Sequence, residues 1–164
     1  MKRFCLLLLL FACHINSYAQ AKKKINVLFL GNSYTFYNNL PQLIKDIANA
    51  NGDTLLVDSN CPGGYTFANH FSDATTISKI KAQAWNFVVL QAQSQEPSFS
   101  PAQVAAQTLP YAIKLDSLVK RANICAQSVF FQTWGRKNGD ASNCAAYPPI
   151  CTYTGMQDRL RASY

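Results

Sequence analysis

Short apolar runs alternate along the chain with longer segments in which apolar residues recur every three or four positions. The runs predict β-strands and the longer segments predict α-helices. The strands are expected at residues 25–31, 54–58, 87–91 and 128–134. The helices are expected at 40–50, 74–84, 101–122 with an interruption near Pro110, and from 155 onward.

This order predicts an α/β fold, because strands that alternate with helices form a parallel sheet covered on both faces. We expect a three-layer α/β/α sandwich with a flavodoxin-like sheet, in one domain over residues 25–164. The last residues, Arg159 to Tyr164, contain no helix stop signal, so the pattern also predicts that the domain is truncated here.

The first predicted strand leads into a serine. Ile25 to Thr35 reads INVLFLGNSYT, in which an apolar run ends at Gly31 and Ser33 follows two residues later. A residue at this point lies beyond the carboxyl end of a buried strand, where ligands bind in open α/β sheets. An ordinary loop, with Ser33 as the cap of the next helix, is the alternative.

Loops after the first three strands should meet at one edge of a parallel sheet. They contain Ser33, the pair Gly63-Gly64, and a glutamine-rich stretch at 91–95. A hydroxyl nucleophile, a glycine N–H and a side-chain amide are the groups that acyl transfer requires around an oxyanion. A tight turn at Gly63-Gly64 and a solvated glutamine loop are the simpler interpretations.

Three segments in this order resemble blocks of the SGNH (GDSL-type) hydrolases: Gly31-Asn32-Ser33-Tyr34-Thr35, Gly64-Tyr65-Thr66 and Gln91-Ala92-Gln93-Ser94. The resemblance implies an ester hydrolase that acts on acyl esters, often of carbohydrates or lipids, without a metal or other cofactor. It implies that Ser33 is the nucleophile and that Ser33, Gly64 and Gln93 form the oxyanion hole.

Three departures from the family pattern bear on activity. Asn32 replaces an Asp, Gln93 replaces an Asn, and no Asp-x-x-His pair follows to supply the general base. The single histidine after the leader, His70, is expected to be packed rather than catalytic. The chain as given should therefore turn over little substrate. Side chains expected around a substrate pocket are Asn32, Tyr34, Trp134 and Arg136.

Two functions of other classes compete with the esterase. A non-catalytic exported module that binds carbohydrate or acyl ligands would keep the pocket without the chemistry. A phosphate- or nucleotide-binding protein is disfavoured, because neither GxGxxG nor GxxxxGK[ST] occurs.

The amino terminus predicts export. Residues 1–19 have the basic start, apolar stretch and small residues of a signal peptide, with cleavage before Gln20, and lipidation at Cys13 is the alternative. We expect a secreted or periplasmic protein with no stable membrane insertion after the signal is removed. The formal net charge is +7, but the basic residues form no helix face, so nucleic acid is not an expected partner.

Export makes disulfides plausible. Cys144 and Cys151 bracket a proline-containing loop and are expected to pair, whereas Cys61 and Cys125 could form a second bridge or stay reduced. A zinc site is a poor alternative because no CxxC pair occurs. The oligomeric state and the acyl group of the substrate are not encoded in any motif.

Overall fold

A computed structural model describes residues 23–164, so the predicted signal peptide and Cys13 lie outside the described residues. The strands are β1 (Lys24–Leu30), β2 (Thr54–Asn60), β3 (Phe87–Leu90) and β4 (Gln127–Phe130). The helices are α1 (Ser33–Phe36), α2 (Leu40–Ala50), α3 (Phe67–Ser72), α4 (Ala74–Lys81), α5 (Pro101–Gln103), α6 (Leu109–Ala122) and α7 (Tyr153–Ser163). Short 3₁₀ turns cover Glu96–Ser98 and Pro148–Ile150, and a π-helical turn covers Val104–Thr108.

The strands form one parallel sheet in the order β2-β1-β3-β4. Strand β1 is central, with Leu28 beside Asp58 on one neighbour and beside Val88 on the other. Because all strands run the same way, the loops after β1, β2, β3 and β4 emerge at the same edge. The α/β class and the parallel sheet predicted from the sequence are confirmed.

One face of the sheet carries the main core. Leu28, Leu30, Val88 and Leu90 are almost completely buried on this face, against residues of α4 and α6 that include Ile80 and Leu115. Leucine, isoleucine and valine on successive strands and on the facing helix stripe exclude water, which is the main favourable contribution to folding. This packing fixes the carboxyl ends of β1 and β3 relative to each other.

The other face of the sheet is less covered. Val27, Phe29 and Leu55 are buried there, and Ala48 of α2 packs against them. The sequence places Leu43, Ile44 and Ile47 on one apolar face of α2, but Leu43 is 51% and Ile47 56% exposed. The helix was predicted correctly. Its residue that packs on this face of the sheet is Ala48, and much of its apolar stripe stays exposed.

Two further differences concern element bounds. The fourth strand ends at Phe130 rather than Trp134, so Thr133 and Trp134 lie in the loop beyond the sheet. Helices α1 and α3 were not predicted, because four and six residues are too few to display a helical period. The expected interruption near Pro110 appears as the π-helical turn that ends at Thr108.

The long loop after β4 is stabilised by a disulfide and by a small apolar core of its own. Cys144 and Cys151 form a disulfide, the predicted pair, and Cys61 and Cys125 are not bridged. Ile150, Met156 and Leu160 form a small separate core beneath this loop. Within residues 23–164, no helix has the length and apolar character needed to cross a membrane.

Candidate active site

Asn32 caps the short helix that begins at Ser33. Its side-chain oxygen accepts a hydrogen bond from the backbone N–H of Tyr34 at 3.2 Å, and Asn32 itself is 2% exposed. The alternative in which Ser33 is the cap is therefore wrong: Ser33 is the first helical residue and is half-buried. Among residues 23–164, no side chain or backbone group forms a hydrogen bond with the Ser33 hydroxyl.

The amide of Asn32 joins the loops that follow β1, β2 and β3. Its Nδ2 donates to the carbonyl oxygen of Tyr65 at 2.9 Å and to that of Ala92 at 3.3 Å. Tyr65 belongs to the loop after β2 and Ala92 to the loop after β3. The expected convergence of these loops is thus observed, and Asn32 is the residue that connects them.

Gln91 completes this buried polar network. Its Oε1 accepts from the backbone N–H of Asn32 at 3.0 Å and from the Thr35 hydroxyl at 2.8 Å, and its Nε2 donates to Asn32 Oδ1 at 2.9 Å. Gln91 is fully buried. Both the oxygen and the nitrogen of its amide are therefore used to hold the segment that presents Ser33, which is how a buried polar group avoids a desolvation cost.

His70 contacts the segment that contains Ser33 through the backbone of Gly31. Its Nε2 lies 2.8 Å from the carbonyl oxygen of Gly31, and its Nδ1 lies 2.9 Å from the Thr76 hydroxyl. A carbonyl can only accept, so Nε2 carries a proton. Nδ1 faces the Thr76 hydroxyl, whose own proton is donated to Asp73 Oδ2 at 2.9 Å. Burial lowers the pKa of His70, an effect that the Gly31 carbonyl and the Asp73 carboxylate oppose.

Asp73 is linked to His70 through Thr76, whose hydroxyl contacts both Nδ1 of His70 and the Asp73 carboxylate. Its carboxylate accepts from Asn60 Nδ2 at 2.7 Å and from the Thr76 backbone N–H at 3.0 Å. Burial raises the pKa of Asp73, but hydrogen bonds from Thr76, Thr75 and Asn60 outweigh it and lower the pKa overall. Because both imidazole nitrogens are engaged, His70 cannot take a proton from Ser33 in this arrangement.

The expected oxyanion donors differ in their surroundings. Gly64 is exposed and has a φ of +74°, a left-handed conformation that favours glycine. Gln93 is instead engaged with its own loop: its Oε1 accepts from the backbone N–H of Gln95 at 2.5 Å and of Glu96 at 3.1 Å, and its Nε2 donates to Gln95 Oε1 at 3.0 Å. One N–H of Gln93 remains for another acceptor.

Aromatic and charged side chains after β4 reach the same edge. Tyr34 and Trp134 stack with ring centroids 4.5 Å apart, and Trp134 is 47% exposed. Arg136 is directed elsewhere: its guanidinium lies 3.3 Å from the Ser94 hydroxyl and 3.5 Å from Asp140. The structure therefore brings Trp134 into contact with Tyr34, the residue that follows Ser33, and places Arg136 against the loop after β3.

Sequence reasoning missed the supporting roles of Gln91 and His70. Gln91 was taken as the end of a strand, and His70 as a packed residue without a defined partner. A polar residue at the last position of an apolar strand was the available signal for Gln91, since a buried amide requires partners. No local pattern indicated that His70 would reach Gly31, which lies 39 residues earlier.

Comparison with known proteins gives similarity in structure only. No family model matches the sequence, and no curated protein sequence matches it. A GDSL-like lipase of Parabacteroides merdae aligns with a TM-score of 0.51 and 12% identity, over 87% of this chain and 74% of that one. The psychrotrophic esterase EstA of Pseudoalteromonas aligns with a TM-score of 0.48 and 12% identity, over 84% and 73%.

The parallel sheet and the meeting of three loops at its carboxyl edge define an α/β protein with its candidate site at that edge. The alignment with the Parabacteroides lipase makes the class more specific. The chain has the fold of the SGNH, or GDSL-like, hydrolases.

Proposed function

We propose that this protein is an exported serine ester hydrolase of SGNH type that acts on acyl esters, including acylated carbohydrates, through an acyl-enzyme on Ser33. The observation that carries the proposal is the network around Asn32. It holds Ser33 beyond the carboxyl end of β1, with the Ser33 hydroxyl free of internal hydrogen bonds among the described residues.

The proposed reaction uses groups at this edge. The Ser33 oxygen attacks the ester carbonyl carbon, the bond to the alcohol breaks, and the alcohol leaves with a proton. The backbone N–H groups of Ser33 and Gly64 and the remaining N–H of Gln93 stabilise the negative oxygen of the tetrahedral intermediate. Water then attacks the acyl-enzyme, which releases the acid and restores the Ser33 hydroxyl.

The Ser33 proton needs an acceptor. His70 is the only histidine in residues 23–164, and hydrogen bonds occupy both of its ring nitrogens. We therefore expect the 164-residue chain to react at Ser33 slowly and to turn over little ester. An Asp-x-x-His pair supplied to the site would raise both rates.

Covalent labelling with a serine-directed fluorophosphonate tests the nucleophile. The reaction forms a bond between Ser33 Oγ and phosphorus and expels fluoride, so intact mass and peptide mapping identify the serine. We expect the label on Ser33 and its loss in Ser33→Ala. Ser142→Ala is the matched control, because Ser142 is exposed and lies in the loop after β4. Labelling that persists unchanged in Ser33→Ala would exclude Ser33 as the nucleophile.

The engagement of His70 also supports a second candidate, a non-catalytic module that binds carbohydrate or acyl ligands at the same edge. This module would bind its ligand equally well with Ser33→Ala and would not react with the fluorophosphonate. Unlabelled Ser33 in a folded protein, together with saturable ligand binding, would favour the module over the esterase.

Export is part of the proposal. The Cys144–Cys151 disulfide supports it, since disulfides persist in oxidising compartments. Mass spectrometry of the amino-terminal peptide of the protein purified from its native source should show a chain that begins at Gln20, as glutamine or as pyroglutamate. A lipid-modified Cys13 at the amino terminus would instead favour membrane anchoring.

A further inference from the structure

A buried carboxylate in the long loop after β4 contacts the loop after β3. Asp140 is completely buried, and no other aspartate or glutamate among residues 23–164 is buried to this degree. Its Oδ2 accepts from Gln95 Nε2 at 2.8 Å and from Asn143 Nδ2 at 2.7 Å, and its Oδ1 lies 3.5 Å from the Arg136 guanidinium. A carboxylate is costly to remove from water, so it is kept inside a protein only where its partners compensate. Of these three partners, Gln95 leads to the candidate site.

The amide of Gln95 joins Asp140 to Gln93. Its Nε2 donates to the Asp140 carboxylate, and its Oε1 accepts from Gln93 Nε2 at 3.0 Å. A carboxylate can only accept, so the nitrogen of the Gln95 amide must face Asp140 and its oxygen must face Gln93. With the amide reversed, oxygen would meet the carboxylate and nitrogen would meet nitrogen. The charge of Asp140 therefore selects one orientation of Gln95.

The amide of Gln93 is held at both of its ends. Backbone N–H groups of Gln95 and Glu96 donate to its Oε1, and the side chain of Gln95 accepts from its Nε2. Nε2 carries two hydrogens, and Gln95 takes one of them. The second hydrogen is the one proposed above as a donor to the oxyanion.

The length of Gln93 makes this restraint necessary. The SGNH pattern has an asparagine at this position, and glutamine has one more rotatable bond between its backbone and its amide. Ordering a longer side chain costs more conformational entropy. A donor that is already held in place avoids this cost during the reaction. The contact with Gln95 restrains the additional bond.

Asp140 is itself fixed to the loop that the disulfide closes. Its backbone N–H donates to the carbonyl oxygen of Ile150 at 2.8 Å, and its carbonyl oxygen accepts from the Cys144 N–H at 2.9 Å. Ile150 is completely buried, and Cys144 is bridged to Cys151. The carboxylate thus reaches the loop after β3 from a segment whose backbone is hydrogen-bonded in both directions.

We propose that Asp140 is a positioning residue for the candidate site: through Gln95 it holds the Gln93 amide so that one Nε2 hydrogen is available to an oxyanion. Asp140 itself touches no reacting atom. The effect on the reaction rests on the proposed function of Ser33, whereas the positioning of Gln93 does not.

Two variants of Asp140 separate its charge from its size. Asp140→Asn keeps the size of the side chain and removes the charge. Its amide can offer oxygen to Gln95 only by turning its nitrogen toward the Arg136 guanidinium, so it no longer selects one orientation of Gln95. Asp140→Ala removes the contact altogether. Asp140→Asn decides the outcome if Asp140→Ala does not fold.

Hydrogen exchange at Gln93 Nε2 tests the positioning. NMR spectra of the 164-residue protein show this side-chain amide, which is identified by its absence in Gln93→Met. Exchange of the proton bonded to Gln95 should be about tenfold faster in Asp140→Ala and about threefold faster in Asp140→Asn, because the hydrogen bond that protects it is loosened. Gln107→Met, at an exposed position, is the control and should leave this exchange unchanged. Unchanged exchange in folded Asp140→Asn would overturn the proposal.

The rate of fluorophosphonate labelling at Ser33 tests the consequence for the reaction. Gln95→Met and Asp140→Ala should each slow the labelling about tenfold, because the oxyanion donor is no longer held in place. Since Asp140 acts through Gln95, adding Asp140→Asn to Gln95→Met should slow the labelling no further. A further decrease in the double variant, equal to that of Asp140→Asn alone, would show that Asp140 does not act through Gln95.

The two measurements distinguish a failure of this proposal from a failure of the proposed function. If the wild type is not labelled at Ser33, the esterase chemistry fails, and the exchange at Gln93 alone decides whether Asp140 positions it. If Ser33 is labelled at the same rate in the wild type and in the Asp140 variants, the nucleophile stands and the contribution of Asp140 to the reaction is overturned.

Discussion

His70 donates a hydrogen bond from Nε2 to the carbonyl oxygen of Gly31 at 2.8 Å, and this bond fixes the position of a buried imidazole and places a proton on its Nε2. On the other side of the ring, Nδ1 lies 2.9 Å from the Thr76 hydroxyl, which accepts from Asn60 Nδ2 at 2.8 Å and donates to Asp73 Oδ2 at 2.9 Å. His70 thus supports the segment that contains Ser33.

The burial of neutral His70 predicts a loss of stability in mild acid. Burial lowers the pKa of His70 below its ordinary value of 6.5, so below that pH the unfolded chain binds a proton that the folded chain does not. The free energy of unfolding should fall as the pH decreases from 6.5 toward the folded-state pKa, by up to about 1.4 kcal/mol per pH unit. Urea unfolding measured between pH 5 and 8 gives this slope.

A non-titrating variant isolates the contribution of His70. His70→Gln should be less stable than the wild type at pH 7, by about 1–3 kcal/mol, because the hydrogen bonds are lost or distorted. Just below pH 6.5, the ordinary pKa of His70, the free energy of unfolding of this variant should depend less on pH than that of the wild type. Glu96, whose pKa burial raises, is present in both proteins and cancels in the comparison. The same slope in both proteins would show that His70 does not cause it.

Introducing at position 32 the Asp of the SGNH sequence pattern should destabilise this protein. Asn32 donates to the carbonyl oxygens of Tyr65 and Ala92, and the carboxylate in Asn32→Asp could only repel them. We expect a loss of about 3 kcal/mol at pH 7, by chemical denaturation. The buried carboxyl would have a raised pKa, so part of the stability should return at lower pH, when a protonated carboxyl can donate again. Asn138→Asp, at an exposed position, is the control and should change little.

The fold was predictable because strand and helix periods are properties of adjacent residues. Strand β1 and helix α2 follow directly from apolar runs and spacing, and the parallel sheet follows from their alternation. The exposure of Leu43 and Ile47 was not predictable in this way. An apolar helix face shows which side is able to pack, but the position of the helix on the sheet decides which residues are covered.

The sequence predicted which loops form the candidate site, but not the contacts between them. Ser33, Gly64 and Gln93 each follow a strand, so their placement at one edge came from topology alone. The hydrogen bonds were not predictable, because they depend on distances between residues far apart in sequence. Gln91 and Asn32 are 59 residues apart and form paired amide contacts that no local motif encodes.

Adjacent glycines provide a matched pair for testing the loop after β2. Gly64 has a φ of +74°, whereas Gly63 does not, and a Cβ at either position would meet no atom within 4 Å. Gly64→Ala should cost about 1–2 kcal/mol from backbone strain alone, and Gly63→Ala should cost much less. Thermal or urea unfolding checks both.

The same pair tests the proposed oxyanion donor. Gly64→Ala should slow fluorophosphonate labelling of Ser33, because a shifted backbone N–H stabilises the developing charge less well. Gly63→Ala should label at the wild-type rate. Equal labelling of both variants, once their unequal stabilities are measured, would remove Gly64 from the proposed oxyanion hole.

The two unbridged cysteines should differ in reactivity. Burial raises the pKa of Cys61 to about 11, although a hydrogen bond with the Gly31 backbone acts against it, while Cys125 is exposed. Because the thiolate is the reactive form, iodoacetamide at pH 8 should modify Cys125 faster than Cys61, on the order of a hundredfold. Peptide mapping by mass spectrometry gives the two rates.

The controls for this experiment also test the disulfide. Cys125→Ser should leave the native protein nearly unmodified over the interval in which the wild type reacts once. In denaturant without a reductant, Cys61 and Cys125 should both react, while Cys144 and Cys151 should react only after reduction. Equal rates at Cys61 and Cys125 in the native protein would mean that the site of Cys61, beside β1, opens to solvent, because burial is the main cause of its raised pKa.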